Sequence, residues 1–216
     1  DKEAEDLFRR VSALPNPEFK PVYANYLFQS GRRAEAVAIF QKLLDENPND
    51  RGARSRLVLA ALSIGRNADA ERALASALKR NSKDVEALLW RGALRVAMGN
   101  AQDAQIDLSQ VLRYHPDSAP AHFFLSRVHR QFHATLSQRA ELSEALRLNP
   151  AMLPARVELA ESLMSTHSAK NALDLMNGAP PTQRNMLEYI AQRNWALMDL
   201  GNLADARQEV NRGLAI

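Results

Sequence analysis

Residues 51–84 read RGARSRLVLAALSIGRNADAERALASALKRNSKD, and residues 85–118 read VEALLWRGALRVAMGNAQDAQIDLSQVLRYHPDS. Laid one under the other, they put Gly65 on Gly99, Ala70 on Ala104, Leu74 on Leu108 and Asp84 on Ser118. The blocks start 34 residues apart, and the same spacing runs outward without an insertion to blocks beginning at Pro17, Ala119, Leu153 and Leu187. One column stays small throughout, Ala36, Ala70, Ala104, Ala172 and Ala206, with Gln138 as the exception. A period of this length marks stacked supersecondary units, none of which can bury its apolar face alone. It predicts an elongated all-α solenoid that binds rather than reacts.

Within each block the apolar residues recur at i, i+3, i+4 and i+7 in two stretches, so each block is expected to be a helical hairpin. The second block gives helices over 53–64 and 68–80, broken at Gly65, which closes a helix in the left-handed conformation without a Cβ penalty. Gly31, Gly99 and Gly201 share its column, and His133 and His167 stand there in the other two blocks. Between blocks, Asn47-Pro48, His115-Pro116 and Asn149-Pro150 end one helix, and Asp50, Asp84 and Ser118 are placed to cap the next. The small column lets helices approach to close-packing distance, which longer side chains at the crossing would prevent. In the fifth block the second helix is expected to stop at Asn177, before Gly178-Ala179-Pro180-Pro181, leaving a longer or bent turn and a kink in the stack. A helix over 2–14 resembles the second half of a preceding hairpin, and no polar capping helix follows Leu214, so the chain is read as a segment of a longer protein.

The small residues Ala24 and Gly92, the turn glycines, the alanine column, the bulky column Phe40, Leu74, Leu108, Leu142, Met176 and Val210, and the prolines Pro48, Pro116 and Pro150 together resemble the tetratricopeptide repeat family over nearly the whole chain. The resemblance implies a right-handed superhelix of about six helix-turn-helix hairpins plus an N-terminal helix. It forms a single domain over 1–216, with the helix at 2–14 and repeats at 17–50, 51–84, 85–118, 119–152, 153–186 and 187–216. It also implies a concave face, lined by the first helix of each hairpin, that receives a protein or peptide.

Composition agrees with a folded helical protein: 46% of the residues are hydrophobic and 25% charged, well away from the balance of a disordered chain. A net charge of +3 over 216 residues produces no global field for indiscriminate nucleic-acid or membrane binding. No apolar run reaches the roughly 20 residues of a spanning helix, so no direct membrane insertion is expected. The charged stretch at the start is read as carrying no signal peptide. Cytoplasm and bacterial periplasm are both compatible, because a chain without cysteine says nothing of its redox compartment.

The inner columns of the repeat hold Asn25 and Phe28; Leu59 and Leu62; Leu89, Ala93 and Val96; Phe123, Arg127 and Arg130; Glu161 and Met164; and Trp195 and Met198. The candidate partner-binding residues are therefore Asn25, Phe28, Leu59, Leu62, Leu89, Phe123, Arg127, Arg130, Met164 and Trp195. A mostly apolar groove with an arginine pair suits an amphipathic helix or extended segment with apolar anchors and an acidic group. The simpler reading is that these aliphatic residues bury one another. From 119 to 140 the chain carries three arginines and three histidines and no acidic residue. Arg127 and Arg130, three apart on one helical face beside Phe123, are placed either to hold a carboxylate or phosphate or to pair with Glu158 or Glu161. Trp195 is read as either core or groove wall. Arg91 and Arg95 occupy apolar columns and are expected to snorkel or to pair with Asp103 or Asp107.

No metal site is expected. His122, His129 and His133 fall in a core, an aromatic and a turn column, with no Cys, Asp or Glu on the same stretch to complete a ligand set. No cofactor is expected either, and no catalysis. There is no nucleophile with a base at useful spacing, no glycine-rich phosphate loop and no carboxylate pair facing a cleft. The clamp that some tetratricopeptide-repeat domains use for acidic chaperone tails finds only Asn25 among Pro21, Asn25, Arg56, Glu86 and Trp90. The reading is thus a non-catalytic protein-interaction scaffold, with a bacterial envelope, secretion or polysaccharide-export assembly suggested by its excess of arginine over lysine and its alanine content. A helical-repeat RNA binder or the recruiting arm of a larger enzyme is the alternative, and uncapped ends leave self-association open.

Overall fold

The computed structural model describes residues 2–215, and within them every regular element is helical. The α-helices are α1 (Lys2–Ser12), α2 (Val22–Gln29), α3 (Arg33–Glu46), α4 (Arg51–Leu62), α5 (Asn67–Arg80), α6 (Val85–Ala97), α7 (Ala101–Tyr114), α8 (Ala119–Gln131), α9 (Thr135–Leu148), α10 (Leu153–Met164), α11 (Ala169–Asn177), α12 (Leu187–Asp199) and α13 (Leu203–Leu214). From α2 onward they pair into six hairpins, one per 34-residue block. Two single 3-10 turns, Pro17–Phe19 and Pro181–Gln183, precede α2 and α12. The chain divides into two compact units, Asp1–Gln110 and Val111–Ile216.

The turn chemistry follows the column reading. Gly31, Gly65, Gly99 and Gly201 all have φ between 72° and 81°, and His133 and His167 adopt the same left-handed conformation at 56° and 55°. At Gly65 this lets Arg66 N–H reach back to Ala61 O at 2.9 Å, satisfying a carbonyl that the helix end would leave open. The expected caps form as well: Asp50, Asp84 and Ser118 accept from the amides of Ala53, Ala87 and Ala121. At the equivalent position before α10 and α12 stand Met152 and Met186, and those helices have no side-chain cap.

In the first unit, α1 packs on α2, α3 on α4 and α5 on α6. Ala36, Ala70, Ala104, Phe40, Leu74 and Leu108 are all essentially inaccessible. Gly92 has its reason in this packing: a Cβ there would stand 2.7 Å from Leu108 Cγ. The opening hairpin departs from its neighbours. Helix α1 ends at Ser12 rather than at 14, and α2 is only 8 residues long because Pro21 takes its N-cap position, where the other first helices run to 12 or 13 residues.

In the second unit, α8 packs on α9, α9 on α10, α11 on α12 and α12 on α13. Ala172, Leu142 and Met176 are fully buried, whereas Val210, expected in the same bulky column, is 44% exposed; no further hairpin follows α13 among the described residues to cover it. Gln138, which breaks the alanine column, is buried. The early stop of α11 at Asn177 is as expected, and the Pro181–Gln183 turn fills the longer connection.

One core column carries two buried arginines and a half-buried histidine. Spaced by 34, it holds Arg54, Leu88, His122, Arg156 and Ile190. Arg54, 2% exposed, pairs with Asp84. His122 bonds Glu141 through Nδ1 at 2.6 Å and the Pro116 carbonyl through Nε2 at 3.1 Å. Arg156 donates to the carbonyls of Leu175 and Pro150 at 2.8 and 2.9 Å. Burial without a carboxylate partner pushes the Arg156 guanidinium below the usual arginine range. Where the repeat supplies no counter-ion, because Met186 stands where Asp84 stands for Arg54, the Leu175 carbonyl in the last turn of α11 and the Pro150 carbonyl before α10 serve instead.

Candidate functional site

The first helices carry the candidate site residues, and each unit presents its own set. In the first unit, Asn25 and Phe28 of α2, Leu62 of α4 and Leu89 of α6 are half-buried, and Leu59 of α4 is 48% exposed. The guanidinium of Arg33 lies 5.5 Å from the Phe28 ring centroid. Ala93 and Val96 are buried and belong to the stack rather than to a surface. Arg91 and Arg95 both pair with the buried carboxylate of Asp107, at 2.7 and 2.6 Å, and Arg95 also donates to the Asp103 carbonyl at 3.2 Å. The hydrogen bonds that Arg91 donates to Asp107 raise its guanidinium above the usual range, and the shared carboxylate gives both arginines a structural role.

In the second unit the expected arginine pair is assembled but engaged. Phe123, expected at a groove wall, is 8% exposed and packs with Leu142, Ala145 and Leu159. Its remaining face is covered by Arg127, whose guanidinium carbon sits 4.4 Å from the ring centroid. Arg127 Nε and Nη2 both donate to Glu158 Oε1, at 2.9 and 2.6 Å, and Arg130 Nη1 stands 3.6 Å from Oε2. The pair that made an acidic partner group attractive is therefore occupied by a glutamate from the next hairpin. Met164 is half-buried against the α10–α12 core. Trp195, 60% exposed, and Met198, 37% exposed, lie three residues apart on one face of α12. Of the histidines, His129 is half-buried and His133 lies exposed in its turn; no group of three or more metal-ligating side chains occurs among the described residues.

Beside this pair the second unit opens a cavity of about 710 Å³, between the start of α10, the Pro181–Gln183 turn and the start of α12. Leu153, Val157 and Met186 give it an apolar floor, and Arg130, Glu158, Glu161 and Glu188 stand around it. Gln183 also lines it, 3% exposed, with neither amide atom hydrogen-bonded. The reason lies in the repeat. The equivalent Asn47, Asn81 and Asn149 each turn their side-chain oxygen back onto the amide two residues on, at 3.3, 3.0 and 3.1 Å. Glutamine, one methylene longer, does not make that turn, and its amide goes inward. The sequence reading missed this residue; its signal was glutamine in a column that otherwise holds Asn47, Asn81, His115 and Asn149.

Two family models, each described as tetratricopeptide repeat, match over residues 27–93 and 86–118. Among solved structures, the chain is similar to a thermophilic tetratricopeptide-repeat protein of Thermus thermophilus, with 23% identity, 89% of this chain and 96% of that one covered, and a TM-score of 0.60. It is similar to a tetratricopeptide repeat protein of Parabacteroides merdae, at 14% identity, 98% and 85% coverage and a TM-score of 0.70. It is also similar to pilF of Pseudomonas aeruginosa, at 16% identity, 99% and 89% coverage and a TM-score of 0.64. No curated protein sequence matches it.

Proposed function

We propose that this chain, which belongs to the tetratricopeptide-repeat family, is one interaction array whose first-helix faces receive a peptide, a helix or a docked domain of a partner. Proteins of this family are in general non-catalytic scaffolds that bind proteins or peptides. The observation that carries the reading is the exposure of large apolar side chains where packing does not need them: Leu59 on α4, and Trp195 with Met198 on α12. Exposed tryptophan among aliphatic side chains is the composition of an interface anchor. No helix among the described residues is long and apolar enough to cross a membrane.

The array is proposed to work in a bacterial envelope, secretion or polysaccharide-export assembly, a placement supported by its excess of arginine over lysine and its alanine-rich composition. An RNA-binding reading finds less support, because single-strand binding needs a continuous basic track and Arg127 is engaged with Glu158. Affinity recovery from extract of the source cells, comparing the wild type with a Leu59→Ala, Trp195→Ala variant, tests the proposal. Phe123 is left unchanged, since truncating a buried phenylalanine costs about 3–5 kcal/mol of stability and would confound the result.

A further inference from the structure

We infer that the cavity of the second unit is a subsite for an extended peptide segment carrying a lysine or arginine beside a large apolar residue. The inference rests on the interaction-scaffold reading and specifies its chemistry. Three observations point the same way. The floor of Leu153, Val157 and Met186 takes an apolar anchor of side-chain size. The charges around it favour a cation. Glu161 and Glu188 are exposed and have no ion pair among the described residues, and Glu158, 9% exposed, has an Oε2 that accepts no hydrogen bond and is met only by the longer ion pair to Arg130 at 3.6 Å. Carboxylates therefore outnumber arginines at the rim even with Arg127 counted, and an incoming ammonium or guanidinium meets Glu161 and Glu188 as exposed acceptors.

The third observation is Gln183. A buried amide with both its donor and its acceptor unmade is costly to the folded protein, and its pattern, one N–H and one C=O side by side, complements a peptide group of an extended chain. The residue weakens the free protein and would be satisfied by the segment, as expected of a binding group and not of a packing one. The early end of α11 and the Pro181–Gln183 turn provide the space.

The test is selection of a phage-displayed twelve-residue peptide library on the full chain. Selected peptides are then made synthetically and titrated by fluorescence polarisation against wild type, Glu161→Lys with Glu188→Lys, Gln183→Met, Leu59→Ala, and Ile106→Ala, an exposed side chain on the second helix α7, as the control. The inference expects sequences enriched in Lys or Arg next to Leu, Met or Phe. Their affinity should fall roughly tenfold or more in the charge-reversed variant and several-fold in Gln183→Met, with Ile106→Ala unchanged. Gln183→Met should melt at the same temperature as wild type or higher, which a purely structural glutamine would not do. Peptides rich in Asp or Glu, or basic peptides indifferent to the cavity variants, would overturn the subsite; if they were instead sensitive to Leu59→Ala, the scaffold reading would stand. A library yielding no binder at all would count against both.

Discussion

Arg54 Nη2 and Asp84 Oδ2 meet at 3.0 Å inside the first unit, joining the first helices of consecutive hairpins, while the other oxygen of Asp84 accepts from Ala87 N at 3.1 Å. One carboxylate thus caps α6 and neutralises a guanidinium that is 2% exposed. Removing one member of a buried pair strands the other, at a cost of about 3–5 kcal/mol, and loss of the cap adds about 1 kcal/mol. Asp84→Ala is accordingly expected to lower the urea midpoint far more than Asp50→Ala, which loses only a cap. Equal midpoints for the two variants would show that Glu86, 3.7 Å from Arg54, fully replaces Asp84.

Helix packing in the third hairpin leaves no room at Gly92. Alanine there gains about 1 kcal/mol of helix propensity, but its Cβ would stand 2.7 Å from Leu108 Cγ, in a side chain with no accessible surface of its own. Overpacking costs about 1–3 kcal/mol, so Gly92→Ala should destabilise, and Ala70→Leu and Ala104→Leu should do so by a similar amount. Thermal melts check this; an unchanged midpoint in all three would mean the assigned helix crossing is wrong.

His133 and His167 hold the left-handed conformation that glycine takes in the other four turns. A Cβ in that region costs roughly 1 kcal/mol, so His133→Gly and His167→Gly should each raise stability by several tenths of a kcal/mol or more. The direction separates turn strain from a ligand role: a histidine that bound zinc would give a melting point that zinc raises in wild type and not in the variants. The structure predicts no such response.

These turns were legible in the sequence because a left-handed residue leaves a mark in its own column, as did the caps at Asp50, Asp84 and Ser118. The pairing of Arg91 and Arg95 with Asp107 was legible as a requirement, since a buried guanidinium needs a partner. What the period did not disclose was which partner wins across hairpins: Arg127 and Glu158 lie 31 residues apart, and only the packed geometry gives them to each other. The burial of Phe123 was hidden for the same reason, because a column next to the core is closed or open according to what the neighbouring side chain does. Gln183 escaped notice because one methylene beyond asparagine looks conservative in a string of letters and redirects an amide into the interior.

The first two helices of the chain should respond to acid. Glu5 accepts from Tyr23 Oη at 2.7 Å and from Arg32 Nη1 at 2.7 Å, and these bonds hold its carboxyl below the ordinary 4.5. A carboxyl depressed in the folded state stabilises it above the unfolded value, and the contribution is lost as pH falls through the folded one. Protection of the α1 amides against hydrogen exchange, relative to their intrinsic rates, should therefore fall in wild type as pH drops below the ordinary 4.5. In Glu5→Gln protection should already be lower at neutral pH and lack that acid step. A Glu5→Gln profile superimposable on wild type would contradict the role given to this carboxylate.

The central claim is that the exposed apolar side chains of the first helices bind a protein partner. It is tested most directly by affinity recovery from source-cell extract with mass-spectrometric identification, using wild type and the Leu59→Ala, Trp195→Ala variant after circular dichroism has shown both to be equally helical. The account predicts at least one protein recovered by wild type and lost or strongly depleted with the variant. Recovery of the same proteins in the same amounts by both would contradict it.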